Sequence, residues 1–249
     1  HRRCSSPDPA RRLTLAAAAG MTLGMILPAR VHAQPVKSVG WRRGELRYGA
    51  GSQTRARRLL LWYPAAGEDR RFDYDGQIGR VAPDAPVAPG RHPLLLFSHG
   101  YLGAADQSIF ITENLARMGY IVAAIDHADA QGRAGIGGIG AFGRPQDWID
   151  ETYLDRREDL AALSDHVAAG HIDPGSFLHQ HVELSAIGAI GHSLGGYTVL
   201  GLAGARRSWH DRRVRAVLGL SPYVAPYLRA GVDGTVDVPA MLQGGTFDV

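Results

Sequence analysis

The residue pattern points to an α/β architecture, a mostly parallel β-sheet with helices on both faces. Short apolar runs, each ended by turn residues, alternate along the chain with segments of helical period. The runs are apolar at consecutive positions, as in strands covered on both faces. The residues with chemical potential also fall at the carboxyl ends of these runs, where the sites of such sheets form.

In chain order, "RRLLLWYP" (57–64) and "HPLLLFSHG" (92–100) are the first two buried strands. The polar, proline-containing stretch 65–90 between them reads as a surface excursion. Residues 104–118 read as a helix and "YIVAAID" (120–126) as another buried strand, followed by a glycine-rich loop over 127–145. A helix is expected over 150–169, with Tyr153, Leu160, Leu163 and Val167 on one face. "AIGAIGH" (186–192) is a strand that runs straight into Ser193, and 194–206 is a helix of small residues. "VRAVLGLS" (214–221) and "VPAMLQG" (238–244) are the last strands, and no internal repeat is visible.

Ahead of this pattern, residues 1–33 have the layout of an export signal. A basic start precedes the alanine-rich apolar run 13–27, and small residues at Val31 and Ala33 mark a cleavage point before Gln34. The run is shorter than the roughly 18–20 residues that cross a bilayer. Arg11-Arg12 ahead of it suits a twin-arginine route as well as the general one. A periplasmic or secreted protein with no stable membrane insertion is expected. Residues 1–33 hold five of the 27 basic and one of the 24 acidic residues. That leaves 22 against 23, a formal net charge of −1 for residues 34–249. The basic balance therefore belongs to the signal, and nothing favours a nucleic-acid partner. Cys4 is the sole cysteine and lies in the signal, so disulfides are excluded from the remainder. Residues 34–249 fit one domain with a sizeable core.

Gly191-His192-Ser193-Leu194-Gly195 is a G-x-S-x-G elbow. Such a turn from strand to helix holds its serine in a strained conformation with the hydroxyl exposed, and side chains at 191 and 195 would collide. A serine attacking a carbonyl needs two N–H groups aimed at the developing oxyanion. Leu194 supplies one, and the loop "FSHGYLG" (97–103) supplies the other through the amide of Tyr101. An acid that orients the base is expected after a later strand, where "QGGTFDV" (243–249) places Asp248.

These segments resemble the α/β-hydrolase superfamily, and within it bacterial proteins similar to dienelactone hydrolase and platelet-activating-factor acetylhydrolase. The resemblance rests on "RRLLLWYPA", "HPLLLFSHGYLG", "MGYIVAAIDHAD", "YLDRREDLAALSDHV" and "IGAIGHSLGGYTVLGLAGA". It implies Ser193 as nucleophile, Leu194 and Tyr101 as oxyanion donors and Asp248 as acid. Two departures stand out. Dienelactone hydrolases proper use cysteine where this chain has Ser193. The acetylhydrolases place their acid where this chain has Ser221.

The expected activity is hydrolysis of a small-molecule or lipid ester through an acyl-enzyme, with no cofactor and no metal. The rival reading is a catalytically inactive hydrolase-fold binding protein. Gly135, Gly137 and Gly140 match G-x-G-x-x-G, but Arg144-Pro145 stands where a helix would have to begin, so a loop over the site is expected instead of dinucleotide binding. His179 and His181 lack a third ligand nearby in sequence.

None of the eleven histidines is expected to be the base. His127 lies nearest but precedes Ser193, against the order serine, acid, histidine. A closing helix, a last strand and the catalytic histidine are expected beyond Val249, which makes 34–249 a C-terminally incomplete domain. The ester itself and the oligomeric state are open.

Overall fold

The computed structural model describes residues 33–130, 139–171, 178–229 and 233–245. Residues 1–32 of the expected export signal and Asp248 lie outside these residues, as do Gly135 and Gly137.

Among the described residues, nine strands form one sheet: β1 (Ser38–Tyr48), β2 (Arg55–Ala65), β3 (Arg70–Tyr74), β4 (Gln77–Pro83), β5 (His92–Ser98), β6 (Ile121–Ile125), β7 (Val182–His192), β8 (Val214–Leu220) and β9 (Ala240–Gln243). Their order is β3-β4-β1-β2-β6-β5-β7-β8-β9. From β6 to β9 every pairing is parallel, while β2 joins β1 and β6 antiparallel. The α-helices are α1 (Ile109–Arg117), α2 (Leu154–Ala168), α3 (Leu194–Leu200) and the short α4 (Ala225–Arg229).

The apolar runs are continuous because each strand feeds two cores. In β2, Leu59, Leu61 and Tyr63 face one core while Leu60 and Trp62 face the other. In β6, Ile121, Ala123 and Ile125 alternate with Val122 and Ala124 in the same way. One core is closed by α2, through Leu160, Leu163 and Val167, and by Tyr197 and Val199 of α3. Ile109 and Ala116 of α1 close the other. The α2 face expected from sequence is the buried one, and Tyr153, just before the helix, is fully buried with it.

The surface excursion over 65–90 instead contains the hairpin β3–β4, and β4 pairs parallel to β1. Its turn is Asp75-Gly76, both at positive φ (54° and 107°), the conformation a two-residue hairpin requires. Charged Arg70, Arg71 and Asp73 keep this edge strand polar, while Phe72 and Tyr74 pack on Trp41. β1 itself went unrecognised because charged residues interrupt its pattern. The helix expected over 104–118 begins only at Ile109, and residues 105–108 before it form a turn in which the Ala105 N–H donates to Asp126 Oδ1 at 2.8 Å. The helix expected over 150–169 starts at Leu154, after Tyr153 in a left-handed conformation (φ 61°). The small-residue helix narrows to α3 plus a wide turn over Gly201–Ala205, ended by Gly204 at φ 110°.

Candidate active site

Ser193 joins β7 to α3 with φ 50° and ψ −115°, a sparsely populated conformation for a residue with a side chain. Four backbone hydrogen bonds hold it there. Its N–H donates to Leu220 O at 3.0 Å, and its carbonyl accepts from Gly196, Tyr197 and Tyr223 at 2.9, 3.2 and 2.9 Å. The glycines around it are sterically required. A Cβ on Gly191 would lie 2.1 Å from Gly195 O, and one on Gly195 would lie 2.0 Å from Ser98 O. Ser193 is partly exposed on the wall of a cavity of about 560 Å³. Pro222, Tyr223, Val224 and Leu228 form its apolar side, and Ser221 and Gly244 close it. A cavity of similar volume, about 550 Å³, runs between Arg207 and Pro239 near the amino end of β8 and has no wall in common with it.

Leu194 is the first residue of α3, so its N–H has no helical acceptor. The Tyr101 N–H lies in a loop whose neighbours are tied down on both sides. Gly100 N–H donates to Gln107 Oε1 at 2.8 Å, and Leu102 N–H donates to Asp129 Oδ2 at 3.1 Å. Among the described residues, the Tyr101 N–H has no acceptor within the protein. The Tyr101 ring packs on Phe142 at 5.1 Å, and Phe142 in turn meets Tyr223 at 4.9 Å and Trp148 at 5.6 Å. An aromatic wall therefore runs from the loop to the cavity.

Beneath the loop lies a buried ion pair, Arg156 with Asp129, that no sequence motif marks. Arg156, fully buried on α2, donates to both carboxylate oxygens of Asp129 at 3.1 and 2.7 Å. It also donates to the carbonyls of His99 and Gly100 at 2.7 and 3.2 Å. Burial pushes the Asp129 carboxyl up, but Arg156 outweighs this and holds it below the usual carboxylate range. One guanidinium thus fixes two consecutive carbonyls of the loop, and its carboxylate partner fixes a third peptide.

Behind the loop, Ser98, His127 and Asp159 are all completely buried. Ser98 Oγ and His127 Nε2 are 2.8 Å apart, as are His127 Nδ1 and Asp159 Oδ2. Burial first, then Arg156, pushes His127 well below the ordinary histidine range, so it is neutral. Nδ1–H then donates to Asp159, and Nε2 accepts the Ser98 hydroxyl proton. The arrangement has the order of a catalytic relay, yet no substrate reaches it. Asp159 also accepts from Arg57 Nε at 2.8 Å and from the Tyr48 hydroxyl, so it ties α2 to β1 and β2. The His127 N–H donates to His99 Nε2 at 3.0 Å, and His99 Nδ1 donates to Gly100 O at 2.7 Å. Both histidines thereby brace the loop 99–102.

His192 is the last residue of β7, and its Nδ1 meets Gln107 Nε2 at 2.6 Å. The remaining described histidines sit toward the amino ends of the strands. His92 Nδ1 meets Gly119 O, and His179 and His181 turn to the separate carbonyls of Val167 and Gly90, so the latter two share no ligand. His166 faces Ala162 O, His171 follows α2, and His210 is 3.6 Å from Asp237.

The family model for platelet-activating factor acetylhydrolase, isoform II, matches residues 81–136. That span holds β5, the loop 99–102, α1 and β6 but not Ser193. No curated protein matches the chain. Among solved structures, a ferulic acid esterase from Streptomyces cinnamoneus aligns with a TM-score of 0.59 at 23% identity, over 85% of this chain and 68% of its own. The fold is that of the α/β-hydrolases. A thermostable carboxylesterase cloned from a metagenomic library aligns less well, with a TM-score of 0.46 at 16% identity over 77% of this chain and 49% of its own. In that fold, Ser193 stands at the turn from β7 to α3, and the loop 99–102 follows the neighbouring strand β5.

Proposed function

We propose that the chain is an exported serine hydrolase that cleaves carboxylic esters. The observation that carries this reading is the conformation of Ser193, held at positive φ by four hydrogen bonds beside a cavity. In the proposed reaction, Ser193 Oγ attacks the ester carbonyl and the oxyanion accepts from the Tyr101 and Leu194 amides. The alcohol leaves with a proton, and water then releases the acid from the acyl-enzyme. Asp248 is assigned the role of orienting the base. The nine described histidines are bonded elsewhere or set toward the far ends of the strands, so we assign the base to a histidine outside the described residues.

The aromatic wall favours an ester with a flat or apolar acyl group. A feruloyl ester belongs in the substrate panel beside short acetyl esters. A catalytically inactive binding protein is the second reading, favoured by the lack of a described histidine bonded to Ser193. A fluorophosphonate probe separates the two. Covalent labelling that is lost in Ser193→Ala is expected, followed by turnover on the panel. An unlabelled wild-type protein with an intact fold would establish the binding reading instead.

A further inference from the structure

The two oxyanion donors belong to different segments, and one side chain bridges these segments. Gln107, in the turn before α1, accepts from the Gly100 N–H at 2.8 Å through Oε1, and its Nε2 lies 2.6 Å from His192 Nδ1. Gly100 precedes Tyr101, and His192 is two residues before Leu194. We infer that Gln107 is a positioning residue that sets the Tyr101 amide in register with the Leu194 amide; this rests on the serine-hydrolase reading above.

The polarity of the bridge follows from elementary chemistry. A backbone N–H only donates, so the Gly100 contact fixes Oε1 as acceptor and leaves the NH₂ group facing His192. His192 Nδ1 must then accept, which places the ring proton on Nε2. A neutral His192 with its proton on Nε2 is no proton acceptor toward Ser193, so the ring serves as an anchor and not as a base. The space around the carboxamide is shaped for it. A Cβ on Gly103 would lie 2.3 Å from Gln107 Oε1, and one on Gly100 would lie 2.9 Å from His192 Nδ1. Any side chain at either glycine would push the bridge apart. The Arg156–Asp129 pair holds the loop from below, and Gln107 ties it by side-chain hydrogen bonds to the strand end that leads into the elbow.

A displacement of about 1 Å at a catalytic group costs on the order of 10²-fold in rate. Gln107→Met keeps the length of the side chain and removes both hydrogen bonds. Gln107→Glu keeps the acceptor for Gly100. The test measures kcat and KM of the exported full-length protein on a short-chain aryl ester, normalised to sites titrated with a fluorophosphonate. In Gln107→Met, kcat per titrated site is expected to fall by roughly 10–100-fold with KM within about 3-fold. Gln107→Glu should recover at least 5-fold of that loss. The ring nitrogens of His192, followed by ¹⁵N NMR, should show the Nε2–H form in wild type and lose that preference in Gln107→Met. Unchanged kcat per site in Gln107→Met, or loss in KM alone, overturns the positioning role while leaving the hydrolase reading intact. A wild-type protein as unreactive as Ser193→Ala overturns both.

Discussion

Gly195 presses against Ser98: a methyl group on its Cα would sit 2.0 Å from the Ser98 carbonyl oxygen and 2.8 Å from that of His99. The elbow and the oxyanion strand are therefore in backbone contact. Gly195→Ala is expected to lower stability by about 1–3 kcal/mol through overpacking. It should also cut ester turnover per folded molecule by more than 10-fold, because the strand must retreat from the elbow. Thermal unfolding and site-titrated kinetics check the two effects. Wild-type values for both would show that the contact yields without consequence.

In the proposed mechanism the working group at Tyr101 is the amide. Tyr101→Phe leaves that amide and the ring packing on Phe142 in place, so near wild-type kcat is expected. Tyr101→Pro deletes the donor and should lower kcat by about 10²–10³ in the folded fraction. Equal losses from both substitutions would move the role to the phenol.

His127→Ala should damage stability and not chemistry. It leaves a cavity and strips Asp159 and Ser98 of a fully buried partner, for an expected loss of about 2–5 kcal/mol in denaturant unfolding. Fluorophosphonate labelling of Ser193 in the remaining folded protein should persist. Abolished labelling at full folding would make His127 the base.

Asp155 is buried, its Oδ1 has no hydrogen-bond partner, and burial followed by the nearby Asp159 raises its carboxyl to about 6. The folded state thus holds this proton more tightly than the unfolded one. That group's contribution to stability falls as pH rises from about 4 through 6. Asp155→Asn removes the cost of ionising it, up to about 3 kcal/mol at neutral pH. A raised Tm at pH 7.5 and no gain at pH 4 are expected. An equal gain at both values would trace the effect to something other than the charge.

The sheet and the elbow were legible in the sequence because both follow from local pattern. Buried strands read as apolar runs, and a serine between glycines at a strand–helix junction has one familiar geometry. The hairpin β3–β4 was missed although Asp75-Gly76 announced it, since charges on an edge strand mask the alternation. Arg156, Asp129 and Gln107 were missed for a different reason. Each acts through partners some 7 to 85 residues away, and helix or loop context makes a charged or amide side chain look like surface. Only the fold reveals that Arg156 is buried. The strained φ of Ser221 (42°), at the end of β8 beside the cavity, had no signal in sequence beyond its place after a strand.

In the sheet, Ser98 of β5 pairs with Gly191 of β7, although β6 intervenes in the chain. The two halves of the reactive centre are thus neighbours only by a long-range pairing across more than ninety residues. Contacts of this kind form late, because loop closure must come before they stabilise anything. A growing polypeptide that has completed β5, α1 and β6 still lacks the elbow that Ser98 will meet. On the proposed serine-hydrolase reading, competence to attack an ester therefore arrives with global folding.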